Sequence, residues 1–201
     1  MDMNATLENL NKRRFIARSF PTVGEATEAM LEIIGERSVG VGGSMTIMNS
    51  GILDALSARG NSVYCHTLVK KPEKEAQRRS ALNADVYLCS ANAVTESGRI
   101  VNIEGTGNRL ASVAFGPKTV MMLVGKNKLV ANVEEGIARI KRDCCPNNAR
   151  RHGFSTPCAL TGKCGNCTGV ERMCNITSVQ EYPTRNTERF YVFLVDEDLG
   201  W

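Results

Sequence analysis

Apolar and polar positions along the chain switch repeatedly between helical spacing and short apolar runs, and that switching predicts alternating helices and strands. Residues 2–18 read as a helix, with Leu7 and Leu10 on one face, Lys12-Arg13-Arg14 near its end and Pro21 beyond it. Thr22 and Glu25 stand three apart, the spacing of a capping box, and Ala26, Met30, Ile33 and Ile34 follow at helical intervals up to Gly35. Ser38–Val41 reads as a short buried strand running into Gly42-Gly43-Ser44-Met45-Thr46; Ile47, Ile52, Leu53 and Leu56 then mark a helix ending at Gly60.

The same alternation continues. Residues 62–69 read as a strand, 72–82 as a charged helix and 84–90 as a second apolar strand. Ala93-Val94-Thr95, the turn Glu96-Ser97-Gly98 and a strand over 99–103 follow, and Gly105-Thr106-Gly107-Asn108-Arg109 leads into a helix over 110–115. Residues 119–124 form the most continuous apolar run; Val130, Val133, Ile137 and Ile140 give one face of a helix, and 190–195 a final strand. Strands and helices alternating in this way predict parallel βαβ units and an α/β three-layer sandwich with a mostly parallel sheet. The expected organisation is an α/β body over 1–143, a cysteine-rich segment over 144–185, and a strand and tail over 186–201 completing the same domain.

Composition narrows the class. In 201 residues, 42% are hydrophobic and 23% charged, the balance of a globular chain and not of a disordered one. No stretch approaches the ~20 apolar residues of a membrane span, and Met1-Asp2-Met3-Asn4 lacks the start of a secretory signal. A cytoplasmic protein without membrane insertion is expected. The net charge of +4 is spread along the chain; it argues against nucleic acid and suits a small anionic metabolite.

Two glycine-bearing loops fall where a parallel sheet places its crevice, beyond the carboxyl ends of the strands. Gly42 and Gly43 allow close backbone approach, and Ser44 or Thr46 can cap the next helix, leaving N–H groups for an anion; a tight turn with ordinary capping is the plainer reading. In the second loop, Gly105-Thr106-Gly107-Asn108-Arg109, Gly107 permits an unusual backbone angle, Asn108 offers an amide, and Arg109 brings a planar donor fork. Arg109 serves either a ligand's carboxylate or phosphate, or a structural carboxylate. Glu96 is a candidate catalytic base or nucleophile, with a solvated hairpin glutamate as the alternative. His66 and His152 have no motif around them and read as packing or surface residues.

Six of the eight cysteines lie between positions 144 and 174. Cys158, Cys164, Cys167 and Cys174, separated by small and polar residues, are spaced to hold an inorganic centre. The single close pair, Cys164 and Cys167, departs from the two knuckles of structural zinc and favours a [4Fe–4S] cluster over Zn; free thiols or a disulfide are the bland alternatives. Cys144 and Cys145 are reserve ligands or incidental thiols.

Gly42-Gly43-Ser44-Met45-Thr46, Ala93-Val94-Thr95-Glu96-Ser97-Gly98, Gly105-Thr106-Gly107-Asn108-Arg109, Val124-Gly125-Lys126-Asn127-Lys128 and the ending Val195–Trp201 occur in this order. Together with Thr156-Pro157-Cys158, Thr161-Gly162-Lys163-Cys164, Cys167 and Arg172-Met173-Cys174-Asn175, the chain resembles the LUD-domain family of lactate-utilisation proteins, in its short branch with a cysteine tail. The resemblance implies a fold like those of ribose-5-phosphate isomerase, glucosamine-6-phosphate deaminase and the CoA transferases (the NagB/RpiA/CoA-transferase-like fold), and a prokaryotic cytosolic setting. It supplies no agreed catalytic set; Ser44, Thr46, Glu96, Gly107, Asn108 and Arg109 match family motifs by position only. The expected function is that of an iron–sulfur accessory in the utilisation of lactate or a related 2-hydroxy acid. Such a protein binds a small organic acid and exchanges electrons with iron–sulfur partner proteins, as a monomer or homo-oligomer. The alternative is an isomerase- or transferase-like enzyme, or a sensor, acting on a phosphorylated or CoA-linked metabolite, with a structural zinc.

Overall fold

The computed structural model describes residues Met1–Trp201. The elements, in chain order, are helix α1 (Met3–Lys12), strand β1 (Ile16–Phe20), α2 (Val23–Ile34), β2 (Val39–Val41), α3 (Met45–Met48), α4 (Ile52–Ala58) and β3 (Val63–Cys65). Next come α5 (Lys74–Leu82), β4 (Val86–Cys89), β5 (Ala93–Thr95), β6 (Ile100–Glu104), α6 (Asn108–Phe115), β7 (Thr119–Gly125) and β8 (Leu129–Val130). The chain closes with α7 (Val133–Arg139), a π-helical turn (Ile140–Cys144), α8 (Cys145–Arg151), α9 (Pro157–Thr161), β9 (Ile176–Gln180) and β10 (Arg189–Val195).

Six strands form a wholly parallel sheet in the order β1-β10-β7-β4-β2-β3. Its two longest strands, β7 and β10, lie side by side, and both are buried along almost their whole length, as the continuous apolar runs require. Alternate residues divide between two faces. Val39, Val41, Leu88, Met121, Leu123, Phe193 and Val195 meet Met30, Leu31, Ile34, Ile47, Ile52 and Leu56 from α2, α3 and α4. On the other face Tyr87, Cys89, Val120, Met122, Phe190, Val192 and Leu194 meet Leu10 of α1, Ala81 of α5 and Val113 of α6. Helices therefore cover both faces, which is the expected three-layer α/β sandwich. A second, four-stranded sheet in the order β8-β5-β6-β9 packs α7 and the π-helical turn through Ala93, Val101, Ile103, Val130, Ile140 and Cys144.

Several elements differ from the sequence reading, each for a local reason. The first helix stops at Lys12 rather than running to residue 18, because Arg14 takes φ +67° and the chain turns into β1. Asn11 fastens that turn: its Oδ1 accepts from the Ala17 N–H at 3.0 Å. The helix expected up to Gly60 splits into α3 and α4 at Gly51, where φ is +79°. The strand expected over 62–69 is confined to Val63–Cys65, and Val130 belongs to β8 and not to α7. Strand β9 has no counterpart in the sequence reading; its only strand partner is β6, more than seventy residues earlier. The capping box stands as read, with Thr22 Oγ1 accepting from the Glu25 N–H at 3.3 Å, and Gly35 ends the helix at φ +59°.

Candidate functional site

A cavity of about 640 Å³ opens at the carboxyl ends of β2, β3, β4 and β7 and is walled on its far side by the end of β6, α8 and the segment from 170 to 173. Its position follows from topology: parallel strands all end on one edge, and the loops leaving them converge there. Ser44 lies at the start of α3, where its Oγ accepts from the Ile47 N–H at 3.4 Å. Thr46, the second residue of α3, is free of capping duty and lines the cavity.

At the floor lies Lys128, only 3% exposed, carried in by the short turn after β7. Its Nζ donates to Thr46 Oγ1 at 2.6 Å and to Ser90 Oγ at 2.8 Å. The two hydroxyls pass their own hydrogens on, Thr46 to the Leu199 carbonyl and Ser90 to the Leu123 carbonyl. No carboxylate pairs with Lys128. Burial lowers its pKa to about 7; Arg139 and Arg109 push in the same direction, against the opposing thiols of Cys144 and Cys89. Arg139 is a second buried cation, 5% exposed, and it too has no acid partner. It donates to the Asn127 and Asn92 carbonyls at 2.8 Å each and to Cys144 Sγ at 3.3 Å.

Arg109 is held differently. Its Nε donates to Glu104 Oε1 at 2.6 Å, Nη1 to the Ser90 carbonyl, and Nη2 to Asn92 Oδ1 and the Ile103 carbonyl. Four of its five N–H donors are thus committed inside the protein. Of the two uses open to it from sequence, pairing with a structural carboxylate is the one adopted. The fork ties β4, β6 and α6 together and holds the Ser90 backbone beneath Lys128.

Along the wall and rim lie His66, Lys74, Arg78, Arg151 and Arg172. Burial first, then Arg78, Lys74 and Arg151, hold the His66 pKa at about 4, so this imidazole is neutral at physiological pH. Arg151 reaches Met45 Sδ at 3.2 Å and stacks over the Trp201 ring at 5.5 Å. The acidic side chains of the lining are Glu104 and Glu171, and both are engaged, one by Arg109 and the other by the Ser155 N–H. The cleft is therefore strongly electropositive, more so than a net charge of +4 over the chain suggests.

Of the residues singled out in sequence, Gly43, Ser44, Thr46, Gly105, Asn108 and Arg109 line the cavity. Gly42 and Gly107 flank it without lining it. A Cβ on Gly42 would stand 2.9 Å from the Tyr87 hydroxyl, and Gly107 supplies φ +84° at the start of α6. Glu96 is exposed in the β5–β6 turn, at the other end of β5 from Asn92, with its carbonyl held by Asn9 Nδ2 at 2.8 Å. It does not border the cavity. Lys128, Arg139 and Ser90 carried no assignment in the sequence reading, and His66 was read as packing or surface. For Lys128 the usable signal was a Lys-Asn-Lys turn directly after the most apolar strand.

All eight cysteines are free thiols. Cys145 and Cys174 pack against the core of the second sheet beside Cys144. Burial, then the neighbouring thiols of Cys174, Cys144, Cys158 and Cys164, push the Cys145 thiol up to about 12. Sulfurs from three stretches of chain thus share one neighbourhood next to the cleft, and as soft donors they suit an iron–sulfur cluster or zinc in kind. No three of them are drawn together as a ligand set. Cys164 is exposed and Cys158, Cys167 and Cys174 are half-buried, so ligation by these four requires the segment from 158 to 174 to close.

A family model described as the LUD domain matches residues 3–195. Among solved structures, a DUF162-family protein from Deinococcus radiodurans is similar in fold, with a TM-score of 0.56 at 13% identity, covering 96% of this chain and 95% of that one. No curated protein matches the chain. No helix is long and apolar enough to cross a membrane.

Proposed function

Because the chain belongs to the LUD-domain family, we propose that it binds a small organic acid anion in the electropositive cleft and serves in the utilisation of lactate or a related 2-hydroxy acid. The observation that carries this reading is the excess of cations on the cavity lining, Lys74, Arg78, Arg151 and Arg172, over acidic side chains, both of which are already engaged. An anion entering such a site replaces its hydration with fixed donors and neutralises charge that the protein leaves uncompensated. Calorimetric titration of the whole protein with lactate and pyruvate tests it. Arg151→Met should weaken any hit about tenfold, the effect of losing one charge-assisted hydrogen bond. Absence of binding by every organic acid tried overturns the reading.

The volume and the second group of cations favour one further candidate. About 640 Å³ exceeds what a three-carbon acid fills, and Lys74, Arg78 and the neutral His66 stand on the wall apart from Lys128. A phosphorylated or CoA-linked acid would use both ends, as an isomerase- or transferase-like enzyme or a sensor requires. Including sugar phosphates and acyl-CoA compounds in the titration separates the two readings.

Cys158, Cys164, Cys167 and Cys174 are the residues proposed to hold a [4Fe–4S] cluster, with tetrahedral zinc as the other occupant. A cluster there would supply one-electron transfer beside the acid, toward iron–sulfur partner proteins. The reading is supported by free thiols and by the nearness of the segment to the cleft, with Glu171, Arg172 and Met173 lying in the cavity wall. Anaerobic reconstitution followed by iron and sulfide analysis should return about four of each per chain. Zinc alone would support the staple, and neither element would overturn metal binding.

A further inference from the structure

Resting on the reading of the cleft as an organic-acid site, we propose that Lys128 is its nucleophile: Nζ captures the carbonyl of the 2-oxo form of the bound acid as an imine. Three observations converge on this residue. Lys128 lines the cavity while almost wholly removed from bulk water. Its hydrogen bonds number two, to Thr46 Oγ1 and Ser90 Oγ, and both acceptors have sent their own hydrogens to carbonyls. A neutral amine has two N–H groups and one lone pair, so this arrangement uses both hydrogens and leaves the lone pair unspent. An ammonium would instead carry a third hydrogen without a protein acceptor.

The third observation is the charge around it. Arg109 on α6 and Arg139 on α7 disfavour the ammonium; Cys89 on β4 and Cys144 in the π-helical turn are thiols, and Glu104 on β6 is bound to Arg109. A buried lysine beside other cations, without an acid, is the environment that activates an amine as nucleophile. Arg151, also without a carboxylate partner, touches Met45, the residue next to the Thr46 that holds Lys128. Arg151 and Lys128 both line the cavity, so a 2-oxo acid there has a guanidinium for its carboxylate and an amine for its carbonyl.

The step balances without a redox partner. The nitrogen lone pair forms the C–N bond and the carbonyl π pair moves to oxygen. Of the amine's two hydrogens and one proton from solvent, two leave with the oxygen as water and one remains on the protonated imine.

The test is reductive trapping on the whole protein with pyruvate and cyanoborohydride, read by intact mass and peptide mapping, beside calorimetric titration of the same sample. The expected result is one reduced pyruvate unit per chain on Lys128, at least about tenfold above any other lysine, because an amine titrating near 7 is far more neutral at that pH than ordinary lysines. Trapping should level off above about pH 7 at Lys128 and keep rising at surface lysines. Lys128→Arg, which keeps charge and length, should retain its fold and lose the adduct. Pyruvate binding without an adduct on Lys128, or adducts spread evenly over surface lysines, overturns the nucleophile and leaves the acid site standing. Neither binding nor adduct overturns both.

Discussion

Replacing Arg109 with Met separates a positioning arginine from a ligand-gripping one. The substitution keeps an apolar stem and deletes the fork that satisfies Glu104, the Ser90 and Ile103 carbonyls and Asn92 Oδ1. Glu104, whose side chain is 8% exposed, is then left with its charge and no counter-charge. Removing one member of a buried pair costs roughly 3–5 kcal/mol, mostly the desolvation of the stranded partner. For a chain of this size each kcal/mol moves the melting temperature by about 2–4 °C. Arg109→Met should therefore melt about 6–20 °C below the wild type in differential scanning calorimetry. Adding Glu104→Gln removes the stranded charge and should recover much of the loss, so the double variant reports even where the single one folds poorly. A single variant that melts within about a degree of wild type yet loses acid affinity would refute the assignment and return Arg109 to the ligand.

Three other outcomes follow from the same coordinates. Lys128 binds fewer protons folded than unfolded between about pH 7 and the ordinary lysine value of 10.5, so its share of stability is lowest at and below pH 7 and rises across that window. Urea titrations should show wild type gaining on Lys128→Met from about pH 7 to about pH 10, and a flat difference would contradict a depressed pKa. Glu96→Gln should leave acid affinity and melting temperature within error, since Glu96 is exposed and away from the cavity; a large loss of affinity would restore it to the site. Gly42→Ala places a Cβ 2.9 Å from the Tyr87 hydroxyl and against Cys89, and should cost about 1–3 kcal/mol by chemical denaturation. An unaffected variant would mean that Tyr87 moves aside freely.

The layered architecture was legible because its signals are local. The apolar runs of β7 and β10 and the Thr22–Glu25 cap need no knowledge of distant residues. What failed depended on contacts far along the chain. Strand β9, with its mixed pattern Ile176-Thr177-Ser178-Val179-Gln180, is a strand only because β6 offers it an edge. His66 and Thr67 follow β3 directly yet leave the sheet to line the cleft. The glycine loops were legible because they must follow strand ends, and Gly43 and Gly105 line the cavity. Lys128 and Arg139 were missed because a charged residue in a turn or a helix is normally solvated, and nothing nearby in sequence announces that Thr46, Ser90, Asn92 and Asn127 will surround them.

Those two buried basic side chains also explain why the site is better read as functional than as packing. A buried charge without a counter-charge costs several kcal/mol even after hydrogen bonding, and a lysine or arginine in the core is tolerable chiefly when an acid accompanies it. Glu104 was available at the cleft, but Arg109 occupies it, and Glu171 is turned to the Ser155 amide. The fold thus places hydroxyls around the Lys128 amine and carbonyls around the Arg139 guanidinium, with no carboxylate at either. An arrangement selected only for stability would have put aliphatic side chains at both positions, as it did on the opposite face with Met121, Leu123 and Phe193. Basic side chains at the carboxyl edge of a parallel sheet are retained against that gradient, and an anion that enters the cleft meets the cations that line it, Lys74, Arg78, Arg151 and Arg172.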